Sequence, residues 1–258
     1  MSGPINIRIP TAMCTVSFVR VNDAVIITSN RDENIQRENA AAPDFHILPN
    51  KKIIFPKDAR AGGTWFAAAD TGVIAVLLNG AFKKHIAQPP YRKSRGLILL
   101  EIIEADESIS FFDELDLKNI EPFTIILYTP GLLHELRWDG TGKHKKLLDI
   151  TGNYIWSSAT LYTDEVIEHR QNLFEQFIRS TDGITAEKMH NFHAHNNGDD
   201  ENGFVINRQT GMKTFSITQA VVHADVILFL HNDLLQQKQF KETMHVHHAA
   251  IKNLREEI

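Results

Sequence analysis

The sequence predicts an α+β fold, a layered sandwich in which two β-sheets lie between helices. Three observations predict it. Short β-branched and apolar segments come in pairs joined by turn residues near both ends of the chain. Stretches of helical period gather in the middle. The resulting order is strands, helices, strands, helices, strands, which suits stacked sheets better than the strict βαβ alternation of a parallel sheet. With 258 residues, 43% hydrophobic and 23% charged, the chain has enough apolar material for one substantial core.

The elements follow in order. Residues 14–20 and 24–30 form a hairpin whose turn chemistry comes from Asn22 and Asp23. A second pair, residues 64–69 and 73–79, is joined by Asp70, Thr71 and Gly72, so Cys14, Asn30 and Asn79 fall at strand ends. Leu97, Leu100, Glu101, Ile103 and Glu104 then recur at helical spacing, and residues 108–115 form a second helix. Residues 123–128 and 132–138 return to strand character around Pro130 and Gly131. The clearest helix follows Thr163 as cap, with Asp164 and Glu165 in its first turn and Val166, Ile167, Leu173, Phe174, Phe177 and Ile178 as its apolar stripe. Thr185 caps another helix running to His193. The polar run of residues 195–202 is an exposed loop. Residues 213–222 and 226–230 are strands, and the charged tail from Gln236 is read as helical.

Composition excludes several function classes. With 27 basic against 32 acidic residues and a formal charge of −5, the chain has no general attraction to phosphate backbones or anionic membranes. Nucleic acid is therefore not an expected partner. A single cysteine rules out an intramolecular disulfide. Pro4, Arg8 and Pro10 interrupt the start, unlike a secretory signal, and no stretch approaches the ~20 apolar residues of a membrane-spanning helix. A cytoplasmic protein without a membrane span is the expectation. His190, His193 and His195 lie close together, as do His245, His247 and His248, but neither group has a carboxylate or cysteine at a recognised zinc spacing. They read as a solvated helix face or polar loop, with no metal and no cofactor expected.

Four blocks carry chemistry: MCTVSF from Met13, TSNRDEN from Thr28, GGTWFA from Gly62 and LLNGAF from Leu77. In this order and spacing the chain resembles the NRDE family, also called the transport and Golgi organisation family, named for the tetrapeptide found here as Asn30, Arg31, Asp32 and Glu33. The similarity is strongest over residues 13–82 and continues through WSSATLY at Trp156 and TFSITQ at Thr214. That family is similar to the cysteine branch of N-terminal-nucleophile (Ntn) hydrolases, which carry an N-terminal Cys, an Asn-x-Asp element and a strand ending in Asn. The resemblance implies a four-layer αββα sandwich spanning residues 14–258, with residues 1–13 an extension that is removed or precedes the true start at Met13.

The resemblance also implies roles. Cys14 would be the nucleophile and its own α-amine the base, since an amine with a reference pKa of ~7.7–8.0 is partly neutral at physiological pH. Asp32 would orient that amine, Asn79 would donate to the oxyanion, and Asn30 would hold Asp32 in place. Arg31, alternating with Asn30 and Asp32, should face the other way and be structural. Glu33 would pair with Arg31, Arg37 or Arg60. Trp65, after the Gly62–Gly63 turn, would wall the pocket. Ser157 and Ser158 stand where the hydrolases carry an oxyanion-hole asparagine. The implied activity is hydrolysis of, or acyl transfer from, a linear amide or thioester of a small acylated molecule. The alternative is a non-catalytic carrier of haem, acyl-CoA or lipid in the same pocket. Read from residue type alone, Cys14 is equally a small buried hydrophobe, and Asn30–Glu33 and Asn79 are equally turn residues.

Overall fold

The computed structural model describes residues 13–247. In chain order the strands are β1 (Met13–Val21), β2 (Ala24–Asn34), β3 (Ala41–Ile47), β4 (Lys52–Lys57), β5 (Phe66–Ala69), β6 (Ile74–Asn79), β7 (Phe123–Thr129), β8 (Leu132–Trp138), β9 (Lys143–Leu148), β10 (Tyr154–Ser157), β11 (Met212–His223), β12 (Val226–Asp233) and β13 (Lys238–His245). The helices are α1 (Arg95–Glu104), α2 (Ser108–Glu114), α3 (Asp164–Ser180) and α4 (Ala186–His193). One six-stranded sheet runs β10-β1-β2-β11-β12-β13 and one seven-stranded sheet runs β3-β4-β5-β6-β7-β8-β9. Every pairing is antiparallel.

The sheets stack because each offers a largely apolar face. Val16, Phe18, Val25 and Ile27 from the first meet Phe66, Val76, Ile126 and Tyr128 from the second in one buried cluster. Helices α1 and α2 cover the outside of the seven-stranded sheet, α1 resting on β5 and β6. On the six-stranded sheet, α4 lies against β2 and β11, and α3 against β10. This gives the four layers αββα that the sequence order implied. A smaller cluster, with Val19, Ile26, Phe174, Met189 and Phe204, seals the sheet against α3 and α4.

Local chemistry explains the elements around the site. Asn22 takes the left-handed conformation, φ 50°, that the tight β1–β2 turn requires. Helix α1 begins where Ser94 caps Leu97 N–H and ends where the buried Lys51 ammonium donates to the carbonyl of Ala105 at 2.8 Å. Its start touches the Gly62–Gly63 turn backbone to backbone: a Cβ on Gly63 would lie 2.4 Å from the carbonyl carbon of Gly96. Thr185 caps α4 as expected, whereas Thr163 occupies the N-cap position of α3 without a side-chain capping bond.

One predicted element is corrected. Residues 238–245 form β13, not a helix, because they pair with β12 along its whole length. The rest of that tail, from His248, and the extension 1–12 lie outside the described residues. Four strands that the sequence did not signal, β3, β4, β9 and β10, complete the sheets. Among the described residues, no helix is long and apolar enough to cross a membrane.

Candidate active site

The two-residue turn fixes the register of the first hairpin. Cys14 lies opposite Arg31, Thr15 opposite Asn30 and residue 13 opposite Asp32. Residues directly opposite in an antiparallel pair point to the same face. Cys14 and Arg31 therefore share the face that looks at the second sheet, and Asn30 and Asp32 look toward α3 and α4.

Across the sheet interface, β6 ends at Asn79. Cys14, Arg31, Trp65 and Asn79 line one cavity of about 110 Å³, together with Arg37, Asp58 and the start of α1. Arg31 faces away from Asn30 and Asp32, as alternation along the strand implied, and that face puts it on the same cavity as the thiol. Its guanidinium bonds Asp58 at 2.7 Å, approaches Glu33 at 3.4 Å and lies 4.3 Å above the centre of the Trp65 ring. Arg37 closes the cluster by pairing with Asp58 at 3.0 Å and Glu33 at 3.4 Å. Glu33 thus pairs with Arg31 and Arg37, while Arg60 gives only its backbone N–H to Asp58. Burial pushes the Glu33 carboxyl up, against the pull of both arginines. Burial acts on Asp58 as well, but the hydrogen bonds from Arg37 and the Ala61 N–H hold it below the usual carboxylate range.

The thiol itself is held neutral. Burial, then the charge of Asp32, push Cys14 up to about 12, with Arg31 pulling the other way. Such a thiol carries almost no thiolate at neutral pH, so a base must take its proton as it attacks.

Asp32 sits fully buried behind β1. It accepts hydrogen bonds from Tyr162 Oη at 2.9 Å and Thr214 Oγ1 at 2.6 Å. Burial raises its pKa, offset by the Arg170 charge and these two donors. Arg170 lies flat on the Tyr162 ring, 3.6 Å from its centre, and donates to Thr15 Oγ1 at 2.6 Å. Asn30 does not hold Asp32. Its amide donates to the carbonyls of His193 and Phe204, both at 2.9 Å, and its oxygen meets the His193 ring, tying β2 to α4. Burial keeps His193 neutral, its pKa pulled down to about 3.

Ser158 is a bridge between the two sheets. Its N–H donates to Cys14 O at 3.1 Å and its hydroxyl to Asn79 O at 2.7 Å. The hydrogen bond of Asn79 runs through its backbone, which leaves the side-chain amide to the cavity it lines. The turn after it needs glycine: Gly80 has φ +80°, and a Cβ there would meet Thr160 at 2.9 Å.

Sequence reasoning missed Asp58, Arg95, Tyr162, Thr214 and Arg170. Tyr162 and Thr214 lie inside the WSSATLY and TFSITQ blocks, and Asp58 bonds the N–H groups of Arg60 and Ala61 in an Asx turn, so those three left a signal. Arg170, one charge inside the apolar stripe of α3, left none. The first histidine group does not converge: His190 bonds Asn232, His193 bonds Ser17 and Asn30, and His195 bonds Asn197, while His248 of the second group lies outside the described residues. Among the described residues, no set of three His, Cys, Asp or Glu side chains is placed to hold a metal ion.

Fold and site together define an αββα protein with a buried thiol at the first strand and an asparagine amide across the cavity from it. The family model for Transport and Golgi organisation 2 matches residues 13–242. The chain belongs to that family, the NRDE family of the sequence resemblance. Among solved structures, a mutant of conjugated bile acid hydrolase from Clostridium perfringens is similar at 9% identity and a TM-score of 0.49, covering 92% of this chain and 98% of that one. An N-acylethanolamine-hydrolyzing acid amidase ortholog from Caenorhabditis elegans is similar at 12% identity and a TM-score of 0.48, covering 80% and 92%. No curated protein matches the chain by sequence.

Proposed function

We propose that the chain is an amidohydrolase or acyltransferase of the Ntn type, acting on a linear amide or thioester of a small acylated molecule. Residues 14–258 form the working unit, and loss of residues 1–13 frees the α-amine of Cys14. The observation that carries this reading is the joint placement of a neutral thiol and an available amide, Cys14 and Asn79, on one cavity, with a buried carboxylate, Asp32, opposite the position from which the amine would be released.

Chemistry follows from that placement. Cys14 Sγ attacks the carbonyl carbon while its proton passes to the neutral α-amine, directly or through water. Asn79 Nδ2 donates to the oxyanion, and Arg31 favours the developing negative charge on sulfur. Collapse breaks the carbon–nitrogen or carbon–sulfur bond, and the ammonium returns the proton to the leaving group. Water, or a second acceptor, then attacks the thioester with the same amine as base, restoring the thiol. Asp32 has two lone-pair sites left after bonding Tyr162 and Thr214, enough to hold the ammonium in place. A haem or lipid carrier would call for an apolar hollow, whereas Arg31, Arg37 and Asp58 line this one.

The test compares two preparations, one beginning at Cys14 and one retaining residues 1–13, each defined by intact mass. The first should be alkylated by iodoacetamide at neutral pH and should hydrolyse members of an acyl-amide and thioester panel, and Cys14→Ala should abolish both. Equal inertness of the two preparations would sink the proposal.

A further inference from the structure

A wider hollow of about 610 Å³ adjoins the Cys14 cavity on its outer side and shares Arg37, Ala61, Ser94 and Arg95 with it. The outer wall comes from the segment between β6 and α1, through Tyr91, Arg92 and Lys93. Four cations, Arg37, Arg92, Lys93 and Arg95, line this vestibule against a single carboxylate, Glu121, among the described residues. The chain as a whole carries a charge of −5, so this excess is local.

Each cation has an acidic partner, but most of those partners stand elsewhere. Arg37 pairs with Asp58 and Glu33, Arg92 with Asp116 and Lys93 with Glu101, and none of these four carboxylates belongs to the vestibule wall. Only Arg95 has its partner, Glu121, in the wall, at 3.0 Å. The guanidinium groups also keep donors in reserve. Arg37 and Arg92 both bond protein acceptors through Nε and Nη2, which leaves Nη1 of each for a ligand. The start of α1 adds to the field, since its first turn contains no acidic residue and its N–H groups face this end.

We propose that the molecule acted on at Cys14 carries a full negative charge, a carboxylate or a phosphate, on the portion that projects from the reacting carbonyl into this vestibule. Arg92 and Lys93 hold that anion at the mouth, while Arg37 and Arg95 add positive field where vestibule and cavity adjoin. This rests on the acyl-transfer reading of Cys14 for the word substrate, while the binding itself can be tested without turnover. A neutral acyl amide would offer the donors that face the vestibule no anionic acceptor, so discrimination should appear in affinity.

The experiment is calorimetric titration of the Cys14→Ala chain with three probes that share one acyl group: N-octanoylglycine, N-octanoyl-O-phosphoethanolamine and the neutral N-octanoylglycinamide. At low salt one or both anions should bind about tenfold tighter than the neutral probe, with the advantage shrinking as salt is added. The tighter anion identifies carboxylate or phosphate as the group. Arg92→Gln combined with Lys93→Gln, both at partly exposed positions, should erase the preference without affecting the fold. Equal affinity for all three probes, binding by none, or a preference that survives the double substitution would overturn the proposal. Release of free amine by the unsubstituted chain is read separately. Anion preference without hydrolysis of any probe counts against Cys14 as nucleophile and leaves the vestibule assignment standing, and hydrolysis without preference does the reverse.

Discussion

Replacing Asp32 by Asn separates the two halves of the proposed site most cleanly, because its effect should depend on whether Cys14 begins the chain. With residue 13 in place, the carboxylate is bonded to Tyr162 and Thr214 and has the Arg170 charge nearby. Asn keeps the shape and can still accept one of those hydroxyls, so the substitution costs one charge-assisted hydrogen bond, about 1.5–3 kcal/mol. When Cys14 is the first residue, its ammonium adds a third donor to the same carboxylate. Two unit charges about 4 Å apart interact by roughly 4 kcal/mol at an effective dielectric of 20, and the net worth of a charged hydrogen bond is about 1.5–3 kcal/mol. Asp32→Asn should therefore cost about 2 kcal/mol more in the chain beginning at Cys14 than in the chain retaining residues 1–13. Denaturant unfolding of the four proteins gives this difference as a double-mutant cycle. The sign with pH is fixed. A partner carboxylate raises the folded pKa of the amine, so the extra stability is present below the unfolded value of ~7.7–8.0 and is lost as pH rises through the folded one. Equal cost in both chains, within about 0.5 kcal/mol, would refute the idea that Asp32 serves the amine.

Three further outcomes follow from the geometry. Arg31→Met keeps an unbranched apolar side chain in the same place but loses the guanidinium over Trp65 and leaves Glu33 and Asp58 with Arg37 alone, so it should destabilise by about 3 kcal/mol at neutral pH in denaturant unfolding. The loss should shrink on acidification, because the Glu33 carboxyl, already pushed up by burial, rises further once Arg31 is gone, and a raised carboxyl contributes stability below its unfolded value that fades as pH rises. Ser158→Ala removes the bond to Asn79 O and should cost about 1–3 kcal/mol of stability. In an active preparation it should lower kcat more than it raises KM, and Ser158→Thr should restore part of the rate. His193, held neutral at about 3 by burial, has a depressed folded pKa. It stabilises above its unfolded value of ~6.5 and that stability drains as pH falls, at a limiting slope of about 1.4 kcal/mol per pH unit. His193→Gln should remove about 1 kcal/mol of the acid sensitivity between pH ~6.5 and pH ~5.5, where the slope is still rising to its limit, measured as the change in unfolding free energy.

The parts of the fold legible in the sequence are those buried on at least one side. The hairpins β1–β2, β5–β6 and β7–β8 show themselves because their apolar runs face the sheet interface and their turns carry Asn, Asp or Gly. The strands that gave no signal, or the wrong one, include the edge strand at each end of both sheets: β10 and β13 in one, β3 and β9 in the other. Edge strands carry charge and proline to discourage further pairing, as in the KHKK start of β9, Lys238, Lys241 and Glu242 in β13 and Pro43 in β3. The same charges erase the two-residue period and, in β13, imitate a solvated helix. Strand β4 was hidden by Pro56.

The candidate site was half legible for a different reason. Motif spacing points to Cys14 and Asn79 together, and counting back from the two-residue Asn22–Asp23 turn places Cys14 across from Arg31, so the face of that arginine was already implied by the hairpin. Alternation along one strand puts Asn30 and Asp32 on one side of the sheet and Arg31 and Glu33 on the other, but it does not reveal what each pair meets there. Arg31 and Glu33 build the ion cluster beside the thiol, while Asn30 anchors α4 and Asp32 waits behind β1. A side chain on the far face cannot reach the Cys14 sulfur, but it can reach the end of the strand. In the proposed mechanism the carboxylate and the thiol are joined through the backbone nitrogen of Cys14, so the tetrapeptide would make one site when that nitrogen is an amine and two separate buried clusters when it is an amide.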